Sequence, residues 1–162
     1  MKRLLTVIAV FLFLTTPSAG QDFNKGVRAY ERGDYAAAML EWRPFAENGN
    51  ATAQYNVGQL YFLGRGVPQN YAEALKWHTL AADQGHAPAQ SIIGRMYATG
   101  RGVPQDFLRA YMWYELAAAF STDGRFSRDA RFARDDAARN MTAEQIADAQ
   151  DLAREWMAKK GR

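Results

Sequence analysis

The chain repeats itself at an interval of 36 residues, and this repeat restricts the fold more than any other feature of the sequence. The segment beginning at Ala53 reads "AQYNVGQLYFLGRGVPQNYAEALKWHTLAADQGHAP", and the one beginning at Ala89 reads "AQSIIGRMYATGRGVPQDFLRAYMWYELAAAF". The repeat positions on which we base the alignment are Gly58, Tyr61, Gly64, Gly66, Ala74 and Trp77 in the first copy and Gly94, Tyr97, Gly100, Gly102 and Trp113 in the second. Self-similarity at such a period indicates a stack of similar units rather than one globular core.

A degenerate copy precedes the two clear ones. Trp42 and Ala46 lie 36 residues before His78 and Ala82, but the first half of this copy is four residues shorter because it lacks the "GRGVPQ" insertion. We therefore predict a degenerate repeat at 21–52, full repeats at 53–88 and 89–123, and a capping segment at 124–162.

Each full unit is predicted to contain two helices. Residues 53–63 carry apolar side chains at helical spacing, and Gly64 follows where a helix C-cap favours a left-handed residue. The small residues Gly58 and Ala74 let the two helices approach closely, while Tyr61 and Trp77 fill the space beside them. The residues that precede the second helices are all good N-caps: Asp34, Asn70 and Asp106.

The pattern changes after Phe120. A turn at 121–124 is followed by a predicted helix at 128–140, and Thr142 with Gln145 forms a capping box for a last helix. The apolar stripe of that helix consists of Ile146, Ala149, Ala153, Trp156 and Met157. A terminal pair with a polar outer face is what a short solenoid needs at its end.

The pattern "AQYNVGQLY" with "GRGVPQNYAEALKW" resembles the Sel1-like repeat (SLR) family, a slightly longer relative of tetratricopeptide repeats. The resemblance covers residues 21–120. It implies an all-α fold, a right-handed α-solenoid of antiparallel helix pairs with C-terminal capping helices. It also implies an adaptor or regulator that binds other proteins, and exported bacterial members are associated with envelope signalling, exopolysaccharide regulation and host interaction.

The first twenty residues have the features of a secretory signal peptide. Lys2 and Arg3 precede an apolar run at 4–14, and small residues precede a cleavage position after Gly20. An uncleaved anchor is the alternative, but the apolar run is shorter than the ~20 residues that span a bilayer. We expect a periplasmic or secreted protein without a stable membrane anchor.

The charge balance argues against nucleic acid as a partner. The chain has 20 Lys and Arg against 17 Asp and Glu; without Lys2 and Arg3 the count is 18 against 17, a net charge of +1. Such a balance does not produce a strong field for phosphates.

No motif for catalysis, a metal or a cofactor is present in the sequence. There is no cysteine, and the two histidines lack a metal-binding spacing. We expect His78 to pack inside as a flat ring and His86 to be a solvated loop residue. Ser91, Ser121 and Ser127 lie in no nucleophile motif. We therefore predict neither an enzyme nor a cofactor.

The candidate partner-binding residues lie on two surfaces. The first helices of the units line the concave side of such solenoids, where Phe23 and Val27 would join the candidates Tyr30, Tyr55, Gln59, Phe62, Ser91 and Arg95. Aromatic and polar residues there suit a peptide, although Tyr55 and Phe62 could instead pack on neighbouring repeats. The second surface is an arginine-rich band that includes Arg128 and Arg131, interleaved with acidic residues, for which a solvated helix face is the alternative.

The "GRGVPQ" segment resembles a phosphate loop only superficially. It occurs twice, follows a predicted helix and lacks the Lys-Ser/Thr ending, so it is interpreted as a connector. Arg65 and Arg101 would be exposed loop charges or, alternatively, a repeated basic row.

These features predict a non-catalytic periplasmic module that binds a partner protein or peptide. One alternative is an assembly factor for envelope or exopolysaccharide machinery. Another is a β-lactamase or cell-wall hydrolase, by analogy with cysteine-rich SLR proteins, whose paired cysteines this chain lacks.

Overall fold

A computed structural model describes residues 22–161, and within this range the regular structure is entirely helical. The helices are α1 (Phe23–Glu31), α2 (Tyr35–Glu47), α3 (Ala51–Leu63), α4 (Tyr71–Ala82), α5 (Ala87–Thr99), α6 (Phe107–Phe120), α7 (Gly124–Ala138) and α8 (Ala143–Lys159). Each helix from α1 to α6 packs on the next one along the chain. This arrangement confirms the predicted all-α solenoid of helix pairs. The signal-peptide prediction lies outside the described residues.

The two helices of a unit meet where a flat ring covers a glycine. Trp42 covers Gly26, His78 covers Gly58, and Tyr114 covers Gly94. A methyl group on Gly58 would lie 2.8 Å from Cε1 of His78, so that only glycine fits there without a shift of the ring. His78 is fully buried, as the sequence predicts.

Consecutive units are joined by a hydrogen bond that also recurs. The amide Nε2 of Gln54 donates to the carbonyl oxygen of Ala46 at 3.1 Å, and Nε2 of Gln90 donates to that of Ala82 at 3.2 Å. These carbonyls belong to the last turn of the preceding second helix, and each also accepts a backbone hydrogen bond from the turn glycine that follows, Gly49 at 3.0 Å and Gly85 at 2.8 Å. At the next junction the hydroxyl of Ser127 donates to Ala118 at 2.9 Å, so the capping segment keeps the contact with a shorter side chain.

The "GRGVPQ" connectors pack backwards onto the preceding unit. Gly64 ends α3 in the left-handed conformation, with φ of 65°, as predicted. Gly66, with φ of 70°, lies against the backbone of Tyr35 and Ala36 at the start of α2. The side chain of Gln69 then donates to the carbonyl oxygen of Phe62 at 2.9 Å. The second connector repeats this arrangement through Gly100, Gly102 and Gln105.

The capping segment differs from the prediction in two ways. Helix α7 begins at Gly124 rather than near residue 128, because Asp123 accepts hydrogen bonds from the first backbone amides and acts as its N-cap. Helix α8 has the predicted capping box at Thr142, but it packs on α6 and makes at most marginal contact with α7. The ring of Trp156 lies 5.4 Å from that of Phe120, which accounts for this placement.

We expect Asn70→Ala to lower the free energy of unfolding by about 1 kcal/mol. The Oδ1 atom of Asn70 accepts hydrogen bonds from the amides of Ala72 and Glu73, and alanine cannot replace them. Urea unfolding followed by circular dichroism measures the change. Asn70→Asp keeps the acceptor and should leave stability nearly unchanged; an equal loss in both variants would contradict the capping role.

Candidate functional site

A groove runs between the first helices of the first two units. It encloses about 460 Å³ and is lined by Val27, Tyr30, Glu31, Trp42, Tyr55, Asn56 and Gln59. We call these seven residues the α1–α3 groove. Helices α1 and α3 supply the walls, because each is followed by a second helix that covers its other side. Helix α2 contributes the single residue Trp42, which is 3% exposed and forms the floor.

The tyrosines of the groove are held in place by polar contacts. The hydroxyl of Tyr55 accepts a hydrogen bond from Nε2 of Gln59 at 3.0 Å, and the hydroxyl of Tyr30 accepts one from Nη1 of Arg65 at 3.0 Å. The ring of Tyr30 lies 5.6 Å from that of Trp42. The groove walls are therefore ordered without a ligand.

Two histidine rings support Tyr55 from behind. The ring centres of His78 and His86 lie 5.5 Å and 4.9 Å from that of Tyr55. Burial lowers the pKa of His78 to about 3 and also lowers the pKa of His86, so both rings are neutral at pH 7. Burial also raises the pKa of Tyr55, which keeps its hydroxyl protonated. Tyr55 and the two histidine rings that it contacts are thus uncharged.

The prediction of His86 as a solvated loop residue is wrong. Its Nδ1 atom accepts a hydrogen bond from the amide of Ala89 at 3.3 Å, and the residue acts as the N-cap of α5. Its ring is half-buried against Tyr55. The sequence contained a signal for this role, since His86 lies 36 residues after Asn50, which caps α3 in the same way.

Of the residues predicted to bind a partner, Tyr30, Tyr55 and Gln59 come together in the groove. Phe62 does not: it is 3% exposed and packs with Ala74 and Met96. This was the alternative left open by the sequence, and its placement on the open concave surface is wrong. Phe62 lies about one helical turn after Gln59, where the side of α3 that it occupies is covered by α4 and α5.

The other candidates lie on later first helices. Ser91 is half-buried and Arg95 exposed on α5, while Arg128 and Arg131 are exposed on α7. Counted from the N-caps, Arg128 takes the place in α7 that Ser91 has in α5 and Tyr55 in α3. Nη1 of Arg131 donates to the hydroxyl of Ser127 at 2.8 Å, which ties it to the junction with α6. Their role in binding stays a prediction.

Sequence reasoning missed three lining residues, Glu31, Trp42 and Asn56. Trp42 comes from a second helix, and a helical pattern does not indicate which residue of a neighbouring helix reaches a groove. Asn56 follows Tyr55 directly, so helical spacing placed it on a different face. The contact of Arg65 with Tyr30 spans two units and has no signal in either repeat taken alone.

The described residues show no arrangement typical of catalysis. Within 22–161 no cluster of three or more histidines and carboxylates could hold a metal ion. Ser127 bonds to Ala118 and Arg131, and Ser121 bonds to the backbone of Asp123. No helix in this range is long and apolar enough to cross a membrane.

Comparison with known proteins agrees with this architecture. Residues 51–86 and 87–119 match the family model described as Sel1 repeat. The chain is a Sel1-like repeat protein. Sel1-like repeats generally form non-catalytic scaffolds that mediate protein interactions.

Two crystal structures are similar to this Sel1-like repeat chain. One is a protective antigen present in uropathogenic Escherichia coli strains that displays an SLR fold, with 27% identity and a TM-score of 0.76 over 85% of this chain and 29% of that one. The other is a Sel1 repeat protein from Oxalobacter formigenes, with 30% identity and a TM-score of 0.58 over 72% of this chain and 48% of that one. This chain spans less than half the length of either. No curated protein matches it.

Proposed function

We propose that this Sel1-like repeat protein is a non-catalytic module, exported to the periplasm, that binds an extended peptide segment of a partner protein in the α1–α3 groove. The observation that carries the proposal is the groove itself, with an aromatic floor at Trp42 and amide side chains at Asn56 and Gln59. Its volume of about 460 Å³ is in the range of specific ligand sites. Amide groups beside aromatic walls suit a peptide, which presents apolar side chains and backbone hydrogen-bonding groups together.

The order of the groove supports binding rather than simple packing. Association costs free energy for each side chain that must be immobilised. Tyr30 and Tyr55 have both ring contacts and a hydroxyl partner before a ligand arrives. A ligand would therefore meet walls that need little further ordering.

The family and the chemistry of the site support the absence of catalysis in this proposal. None of the three serines in the described range is hydrogen-bonded to a histidine, lysine or carboxylate side chain that would act as a general base for a serine nucleophile. The proposed export rests on the charged start and apolar run of residues 1–20.

Filling the groove is expected to abolish peptide binding. Peptides selected from a random display library on the purified protein should bind Asn56→Trp at least about tenfold more weakly, because the indole would occupy the space between α1 and α3. Fluorescence anisotropy with labelled copies of the selected peptides measures the affinity.

Leu40→Trp is the matched control for this experiment. Leu40 is 72% exposed on α2 and does not line the groove, so the same new side chain should leave the affinity unchanged. Equal affinity for Asn56→Trp and the unmodified protein, or the absence of any selected peptide, would refute groove binding.

A further inference from the structure

Three arginines extend from the rim of the α1–α3 groove to the edge of the next unit. Arg65 donates to the hydroxyl of Tyr30 and places its guanidinium 5.0 Å from the ring centre of Tyr35. The guanidiniums of Arg95 and Arg101 lie 5.0 Å and 6.0 Å from the ring centre of Phe62. We call Arg65, Arg95 and Arg101 the arginine row.

The repeat itself produces this row. Tyr30 and Tyr35 form an edge-to-face pair at 5.1 Å, and Phe62 and Tyr71 form an equivalent pair at 5.3 Å in the next unit. Arg65 lies at the first pair and Arg101 at the second, because each belongs to a connector that packs backwards through Gly66 or Gly102. The alternative of a repeated basic row, left open by the sequence, therefore matches the geometry.

Arg95 brings positive charge from α5 to the same region. It projects from the first helix of the third unit, and its charge opposes the rise that burial causes in the pKa of Tyr55. Phe62, whose ring both Arg95 and Arg101 approach, lies on the same helix as the groove residues Tyr55 and Gln59. Arg95 thus connects the groove with Arg101.

None of the three forms an ion pair with a carboxylate in the described range. Elsewhere in that range six arginines do, namely Arg28, Arg43, Arg109, Arg134, Arg139 and Arg154. Glu31 is the one carboxylate that lines the groove. The three arginines do not line the groove themselves, but they place positive charge beside it without a carboxylate partner, although the whole chain is nearly balanced.

We propose that the groove binds an acidic segment of the partner, in which an apolar side chain enters the space above Trp42 and neighbouring aspartates or glutamates pair with the arginine row. This inference rests on the proposed function and adds the chemistry of the peptide. Guanidinium groups bind carboxylates through strong, directional hydrogen bonds, and these arginines are already positioned by aromatic rings. Complementary charge also fixes the direction in which a peptide lies.

An anionic polysaccharide would use the same charges but not the same groove. Sugars bind by laying a ring on an open aromatic face. The floor residue Trp42 is 3% exposed, and Tyr55 contacts two histidine rings. The groove therefore offers a recess for side chains rather than an exposed aromatic platform, which favours a peptide.

The test uses the selected peptides and their neutral counterparts. Sequences enriched from a charge-balanced library should carry excess Asp and Glu, and replacing these with Asn and Gln should weaken binding about tenfold. The double variant Arg95→Gln/Arg101→Gln should weaken the acidic peptide severalfold and narrow the difference between the acidic and neutral peptides, because Arg65 alone of the row remains. Raised salt should weaken the acidic peptide alone.

Arg43→Gln/Arg139→Gln is the matched control. It removes the same charge from two exposed, ion-paired arginines outside the row and should leave both affinities unchanged. The acidic partner is refuted, and groove binding is not, by one combination of results. In that case the enriched peptides have no acidic excess, bind Arg95→Gln/Arg101→Gln as tightly as the unmodified protein, and fail to bind Asn56→Trp. If no peptide is enriched and alginate oligomers bind the unmodified protein but not Arg95→Gln/Arg101→Gln, both the acidic partner and peptide binding in the groove are refuted.

Discussion

The variant His78→Phe is expected to keep most of its stability at pH 4, where the unmodified protein loses several kcal/mol. His78 is fully buried, neither ring nitrogen has a hydrogen-bond partner, and burial lowers its pKa from 6.5 to about 3. Between these two values the unfolded chain binds a proton that the folded chain does not. The free energy of unfolding therefore falls as pH falls from 6.5, by about 1.4 kcal/mol per pH unit. The full span amounts to roughly 5 kcal/mol.

Phenylalanine suits this position because the equivalent rings in the other units are Trp42 and Tyr114. It fills the space over Gly58 and binds no proton, so most of the acid-induced loss should disappear, and the part due to His86 should remain. Urea unfolding of both proteins at pH 7, 6, 5 and 4 measures the change. The difference in unfolding free energy should widen at each step toward acid.

His86→Asn is the control for the other histidine. Asparagine preserves the N-cap, as Asn50 does for α3, and removes a group whose pKa burial also lowers. Because His86 is only half-buried, its variant should reduce the acid loss less than His78→Phe. Parallel pH curves for His78→Phe and the unmodified protein would show that His78 is not the source.

The features predicted well from the sequence are those repeated within it. Gly58 and Gly94 share a spacing to His78 and Tyr114, so the close contact of two helices and the burial of His78 follow from one alignment. The N-cap at Asn70 and the left-handed Gly64 also follow, because both depend on a few neighbouring residues. Local backbone chemistry and repetition together determine this part of the fold.

The groove was only half predictable because it is assembled across units. Tyr30 and Phe62 hold equivalent positions, yet Tyr30 lines the groove while α5 and the second connector enclose Phe62. Whether the residue at this position is enclosed depends on the helices of the next unit, and the sequence of the residue's own helix does not indicate how they pack. The placement of α8 on α6 is similar: Trp156 belongs to the predicted apolar stripe, but the stripe does not indicate that its ring meets Trp113 and Phe120 of α6.

Gly66→Ala is expected to destabilise the protein by at least about 3 kcal/mol. Two costs add at this residue. Its φ of 70° is left-handed, which costs a residue with a Cβ atom about 1–2 kcal/mol. The new atom would also lie 2.5 Å from the carbonyl carbon of Tyr35 and 2.6 Å from the amide nitrogen of Ala36, and a backbone cannot rotate away. Thermal and urea unfolding measure the loss.

Gly33→Ala separates the two costs. Gly33 has φ of 80°, but no atom beyond Gly33 and its chain neighbours lies within 4 Å of the position of a new Cβ, so only the conformational cost applies. A loss of about 1–2 kcal/mol is expected for it. If Gly66→Ala loses no more than Gly33→Ala, the connector does not press on α2 as described. If Gly66→Ala loses more stability than Gly33→Ala, the connector must move to accommodate the new atom.

Arg65 belongs to this connector and would move with it. Gly66→Ala should then also lower the affinity for acidic peptides at temperatures where the protein remains folded, whereas Gly33→Ala should not.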